Sequence, residues 1–259
     1  MAVYERVLKK GDLNRLVKYF TNRTHYSKSI QEILGVKQMF FRDYDDVKGF
    51  EIMNKLNSDR EKITVHELTL YLKYKNALIK ATELKIKGKD RKLFTVDGNI
   101  LKKDRNRTVL EKFTLDHGKL TSHTTIDHPR NENLEIPEYL EIPYQTNDTT
   151  IRNSPVPCFN WDGSGTCCKF RYNANPLNPV VTYNWCGANC GGGCGSSPST
   201  VNALDRCCKN HDCCYVRNSD YPARCTCDQS LINCANGTDE AGTSRVVTAF
   251  KAKQLYFGC

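Results

Sequence analysis

The first 157 residues of this 259-residue chain contain no cysteine, although the chain has fourteen. All of them lie between Cys158 and Cys259. A front without cross-links must hold together by packing alone, whereas residues 158–259 read as a disulfide framework. No two cysteines stand in Cys-x-x-Cys spacing, and doublets such as Cys207–Cys208 and Cys213–Cys214 dominate, which argues against a zinc-rich module. No run of apolar residues approaches membrane-spanning length. The N-terminus, Met-Ala-Val-Tyr-Glu-Arg-Val-Leu-Lys-Lys, lacks the apolar stretch of a secretory signal. Yet an even cysteine count at this density points to an oxidising compartment. The two readings meet if the chain is a processed or recombinant piece. They also meet if it reaches an oxidising space by another route, such as inside a virus particle. The expected location is therefore extracellular or virion-associated. Four Asn-x-Ser/Thr sequons, at Asn22, Asn106, Asn147 and Asn236, matter only on a secretory route.

The net charge of +9 is concentrated at the front. Residues 1–128 carry 27 lysines and arginines against 17 acids, while residues 129–150 carry one arginine against five acids. A basic region of this kind offers contact to anionic lipid. A solvated, lysine-rich surface accounts for the same charge, because acids are interspersed throughout, and no nucleic-acid partner is expected. Apolar residues Val7, Leu8, Leu13, Leu16, Val17 and Phe20 fall at roughly helical spacing, interrupted at Gly11-Asp12. Residues 43–57 form a weaker helical candidate. Thr64-x-x-Glu67 resembles a capping box, and Leu68, Leu72, Ala77, Leu78, Ile79 and Leu84 extend that helix to about Ile86. From Lys92 to Ile126 short β-prone runs alternate with the turn signals Asp97-Gly98-Asn99 and His117-Gly118. Residues 1–128 thus read as an α+β domain in which no chemistry is recognisable. Residues 129–157, with five prolines, acids and a polar run, read as an extended linker, loose or packed against one domain.

Chemistry concentrates in Asp205-Arg-Cys-Cys-Lys-Asn-His-Asp-Cys-Cys-Tyr215. On a helix, Cys207, His211 and Tyr215 share a face, and Asp212 is turned about 100° from His211. A base and a carboxylate then face one cleft while the cysteines tie the helix to its surroundings. Upstream, Trp185-Cys-Gly-Ala-Asn-Cys-Gly-Gly-Gly-Cys-Gly195 is rich in glycine, which permits backbone conformations that turn several carbonyls toward one point. A hard cation such as calcium takes carbonyl and carboxylate oxygens of this kind.

The helix stretch meets every fixed position of Asp-x-Cys-Cys-x-x-His-Asp-x-Cys-Tyr, and so resembles the active-site helix of secreted phospholipases A2. The glycine-rich loop resembles the calcium loop of that family, and Cys225-Thr-Cys-Asp228 followed by Cys234 resembles its second long helix. The resemblance covers residues 183–234. It implies a mainly α, disulfide-rich C-terminal domain with two antiparallel helices and a calcium loop. It also implies calcium held by the carbonyls of Trp185, Gly187 and Asn189 and by both oxygens of Asp212. Asn189 stands where the family usually has glycine, so Gly191 is an alternative third ligand. The same match makes His211 the base and Asp228 its orienting acid, with Tyr215 bonded to that acid and the Gly187 N–H stabilising an oxyanion. The implied activity is calcium-dependent hydrolysis of the sn-2 ester of phosphoglycerides at a phospholipid surface. A non-catalytic toxin-like or receptor-binding module on the same scaffold is the alternative, and a viral enzyme used for membrane penetration is a variant of context.

On these two helices Cys207 and Cys214 are seven residues apart, as are Cys227 and Cys234, so each pair lies on one face about two turns apart. Antiparallel packing pairs Cys207 with Cys234 and Cys214 with Cys227. Parallel packing would need a return connection longer than the nine residues between Tyr215 and Cys225. The resemblance implies the same two bridges and adds Cys186–Cys208 and, by a weaker analogy, Cys213–Cys259.

Overall fold

A computed structural model describes residues 3–21, 32, 44–57, 62–105, 107–127, 129, 134–137, 158, 166–172, 177–191, 194–195 and 197–259. Its front is an antiparallel meander of seven strands in chain order. These are β1 (Val3–Val7), β2 (Asp46–Asn57), β3 (Lys62–Tyr74), β4 (Ala77–Ile86), β5 (Lys92–Asp104), β6 (Arg107–Asp116) and β7 (Lys119–Asp127). Helix α1 (Lys10–Thr21) follows β1 and starts beside the Gly11-Asp12 interruption.

The helix expected over 64–86 is instead the β3–β4 hairpin, and the one expected over 43–57 is β2. The physical reason lies in burial. Leu70, Leu72, Ala77, Ile79 and Ala81 cluster with Leu16 and Phe20 of α1 on one face of the sheet. Ile63, Val65, Tyr71, Leu78, Leu84 and Ile86 point to the opposite face, which the C-terminal region covers. A strand covered on both faces loses the apolar–polar alternation that marks a half-buried one. The turn expected at Asp97-Gly98-Asn99 is also absent, because β5 runs straight through it. Gly98 lies opposite Phe113 of β6, whose ring fills the space of a side chain; a Cβ there would come within 2.1 Å of it. The turn at His117-Gly118 does form, both residues having positive φ (49° and 80°), as a two-residue hairpin requires.

The C-terminal region comprises a two-stranded ribbon, β8 (Lys169–Arg171) and β9 (Val180–Thr182), and helices α2 (Ala203–Arg217), α3 (Arg224–Asn236) and α4 (Thr243–Phe257). The Asn202 side chain caps α2 by accepting from the Asp205 N–H at 3.0 Å. Seven disulfides use all fourteen cysteines. Cys207–Cys234 and Cys214–Cys227 clamp α2 antiparallel to α3, and Cys186–Cys208 ties the glycine-rich loop to α2, as expected. The Cys213–Cys259 pairing is not found. Cys213 takes Cys194 from the loop, and Cys259 joins Cys225 because α4 ends beside the start of α3.

The sheet and the disulfide-rich region share one core. Phe50, Ile52, Tyr71, Leu78 and Leu110 of the sheet pack with Trp185, Leu231, Ile232, Val246 and Val247. Polar contacts accompany them. Arg245 of α4 donates to Glu67 at 2.7 Å, Lys80 donates to Ser244 at 2.7 Å, and Lys251 pairs with Asp116 at 2.7 Å. Of the linker, residues 134–137 are described, and they pack against the sheet: Leu134 is buried in the shared core, and Lys48 donates to the Pro137 carbonyl. The rest of the proline-rich stretch lies outside the described residues, apart from Pro129.

Candidate active site

Helices α2 and α3 bring His211 and Asp228 together across their disulfide-clamped faces. His211 Nε2 lies 3.0 Å from Asp228 Oδ1, with the ring 7% exposed and the carboxylate fully buried. Tyr215 donates to Asp228 Oδ1 at 2.5 Å and Tyr221 donates to Oδ2 at 2.7 Å. Burial alone would raise the Asp228 carboxyl. The hydrogen bonds from His211, Tyr215 and Tyr221 outweigh it and hold the group below its ordinary value. Both phenols are pushed far up, first by burial and then, for each, by neighbours that include the carboxylate; they act as fixed donors rather than acids. With Nε2–H given to Asp228, the Nδ1 lone pair of His211 is left to accept a proton. It faces Asp212, whose Oδ1 is 3.5 Å away.

Asp212 is the other half of the site. Burial raises its carboxyl, and although the side chain keeps 30% exposure, its Oδ2 is buried without a hydrogen-bond partner. An orphaned carboxylate oxygen is costly unless a cation meets it. The glycine-rich loop is pinned on either side of this residue, through Cys186–Cys208 and Cys194–Cys213. Its start is fixed by Asp205, which accepts from the backbone N–H groups of Asn184, Trp185, Cys186 and Val201, at 2.7 Å from Trp185. Gly187 has φ +129°, and a Cβ there would meet the Thr166 carbonyl at 2.5 Å. Asn189 has φ +59°, the left-handed conformation that asparagine tolerates better than most residues, and Gly191 has φ +73°. An unpaired carboxylate oxygen, on a helix to which a loop with positive φ at Gly187, Asn189 and Gly191 is pinned, suits a hard, oxygen-seeking cation. Trp185, Gly187, Asn189 and Asp212 fit calcium in donor type.

Part of the chain is similar to phospholipases A2. Over 67 residues it is 44% identical to the basic phospholipase A2 homolog Vur-S49 of Vipera renardi, which covers 26% of this chain and 46% of that protein. Over 76 residues it is 34% identical to the acidic phospholipase A2 KBf-grIB of Bungarus fasciatus, covering 24% of this chain and 51% of that one. The chain spans about half the length of the curated relatives it matches. No protein-family model and no solved structure matches it.

The phospholipase A2-like motif left three participants unseen. Tyr221 sits in the connector between α2 and α3, where no spacing rule points to it. Asp205 belongs to the motif, yet its role as anchor of the loop shows only in three dimensions. Helix α4 forms one wall of the site: Phe250 packs edge-on to the His211 ring at 4.7 Å, and the Lys253 ammonium lies 5.1 Å from the Tyr215 ring.

Proposed function

We propose that this protein is a calcium-dependent phospholipase A2, hydrolysing the sn-2 ester of phosphoglycerides to a fatty acid and a lysophospholipid. The observation that carries this reading is one pair of facts: the His211 base is oriented by a triply bonded Asp228, and its other nitrogen faces Asp212, whose Oδ2 is buried without a hydrogen-bond partner. The disulfide framework favours an extracellular or otherwise oxidising location. The lysine-rich front supplies positive charge for contact with anionic lipid.

In this mechanism His211 Nδ1 accepts the proton of a water that attacks the ester carbonyl. Asp228 fixes the imidazole tautomer and stabilises the imidazolium as it forms, while Tyr215 and Tyr221 keep that carboxylate ionised and in place. The Gly187 N–H is a donor for the developing oxyanion. Asp212 and the carbonyls of Trp185, Gly187 and Asn189 or Gly191 would hold a calcium ion, which when bound would supply Lewis-acid stabilisation of that oxyanion and a grip on the substrate phosphate. The return of the proton to the departing alcohol then falls to His211. No side-chain nucleophile is required.

Fatty-acid release from mixed phosphatidylcholine–phosphatidylserine vesicles, with and without calcium, tests the reading. The wild type releases fatty acid only with calcium, and His211→Gln lowers the rate by roughly 10²–10⁴-fold with an unchanged far-UV spectrum. Equal activity in His211→Gln and wild type would overturn the mechanism. Inactivity of the wild type, with vesicle binding intact, would favour the non-catalytic module.

A further inference from the structure

We infer that helix α4 positions the acid of the catalytic pair, with Phe257 as a positioning residue that acts through Tyr221. The inference rests on the catalytic reading above for its kinetic consequence, though not for its geometry. Tyr221 lies in the six-residue connector between α2 and α3, a segment outside regular structure and so without a ladder to fix its side chain. Its hydroxyl nevertheless holds Asp228 Oδ2 at 2.7 Å. The Phe257 ring stacks on the Tyr221 ring, with centroids 3.7 Å apart and planes within 6° of parallel. A close parallel stack restricts both the tilt and the lateral position of the phenol, which decide whether its hydroxyl reaches the carboxylate.

Phe257 is in turn held from several sides. Tyr256 packs edge-on to it at 4.8 Å, and Cys259, two residues on, is bonded to Cys225 at the start of α3. Helix α4 is seated on the sheet by Arg245–Glu67, by Lys80 donating to Ser244 and Thr248, and by Ala252, Leu255 and Tyr256 against Ile63, Val65, Leu84 and Ile86. A continuous chain of packed groups therefore runs from the sheet through α4 and the Phe257–Tyr221 stack to Asp228. This gives the front of the chain, in which no chemistry is legible, a part in shaping the site.

The test uses the full chain. A crystal structure of Phe257→Leu is expected to show the Tyr221 hydroxyl beyond hydrogen-bonding distance of Asp228 Oδ2. A hydroxyl still bonded there overturns the inference, whatever the lipase activity. If Phe257→Leu does not accumulate as folded protein, Phe257→Met takes its place, and Phe257→Trp, which keeps a stacking ring, is expected to keep the bond. In vesicle hydrolysis Phe257→Leu lowers kcat about tenfold, the scale of one hydrogen bond to a charged group, with KM and calcium dependence unchanged. Phe257→Trp restores the rate. In a Tyr221→Phe background the Leu substitution adds nothing further, because the hydroxyl it acts through is gone; additive losses would assign Phe257 a general structural role and refute the inference. An inactive wild type in which Phe257→Leu still displaces Tyr221 would defeat the catalytic reading alone.

Discussion

The ion pair between Glu67 and Arg245 offers the sharpest test of whether sheet and disulfide framework form one cooperative unit. Glu67 is 1% exposed and the Arg245 side chain 7%, and the two meet at 2.7 Å across the interface between β3 and α4. Thr69 adds a hydrogen bond to Glu67 at 2.9 Å. Burial by itself would raise the Glu67 carboxyl, yet the charges of Arg245 and Lys80 and the hydrogen bonds together lower it. Replacing Arg245 by Met strands a buried carboxylate, and replacing Glu67 by Gln strands a buried guanidinium. Each single change is expected to cost about 3–5 kcal/mol, whereas the double replacement Glu67→Leu/Arg245→Met costs clearly less than the sum of the two, because it removes both charges of the pair and leaves only Lys80 without the Glu67 carboxylate. The folded value of Glu67 is depressed, so its contribution is fully present above the unfolded value near 4.5 and is lost as pH falls through the lower folded value. Urea unfolding of the oxidised protein at pH 7 and pH 3, followed by far-UV dichroism and by near-UV signals, measures all of this. A single transition, shifted by the singles and shifted by the double by less than their sum, is the expected result. Singles that each cost less than about 1 kcal/mol, or a sheet that unfolds well before the disulfide framework, would refute the reasoning and support a separable front domain.

The remaining predictions concern the two carboxylates of the site. Asp212→Asn removes the one charged oxygen ligand and is expected to weaken calcium binding tenfold or more in isothermal titration, on the order expected for a lost carboxylate ligand; unchanged affinity would show that the cation binds elsewhere. Asp228→Asn is expected to lower kcat by roughly 10²–10⁴-fold by presenting the wrong imidazole tautomer. It should leave calcium affinity intact, and a large loss of that affinity would mean that the ligands are misassigned.

What was legible in the sequence was whatever short-range spacing could fix. Seven-residue cysteine intervals and a short connector are enough to pair Cys207 with Cys234 and Cys214 with Cys227 on two antiparallel helices, because helix periodicity converts spacing into a face. That His211 and Asp228 would meet was implied by the resemblance to phospholipases A2, and the two bridges hold the helices so that they do. The hairpin of β3 and β4 was illegible because its residues are buried on both faces, and the apolar positions then match a helical template as well as an extended one. Gly98 reads as a turn in sequence, but its space is filled by a ring from the next strand. Tyr221 and the Cys225–Cys259 bridge depend on where α4 ends, which is a matter of tertiary path and not of spacing.

Helix α4 also explains why so basic a segment can lie inside a molecule. Arg245, Lys251 and Lys253 are all at least nine-tenths buried, and each meets its own partner: the carboxylates of Glu67 and Asp116 for the first two, and the aromatic faces of Tyr215 and Phe250 for the third. Apolar packing alone would let the helix slide along the sheet, because one row of aliphatic side chains resembles the next. A slide of one turn, about 5.4 Å, would leave three buried cations without their partners at once. The charges therefore fix the height of α4 on the sheet more sharply than the apolar contacts do. Phe250 and Phe257 ride on that same helix, so the register that satisfies the cations is also the one that sets one aromatic ring against His211 and the other against Tyr221.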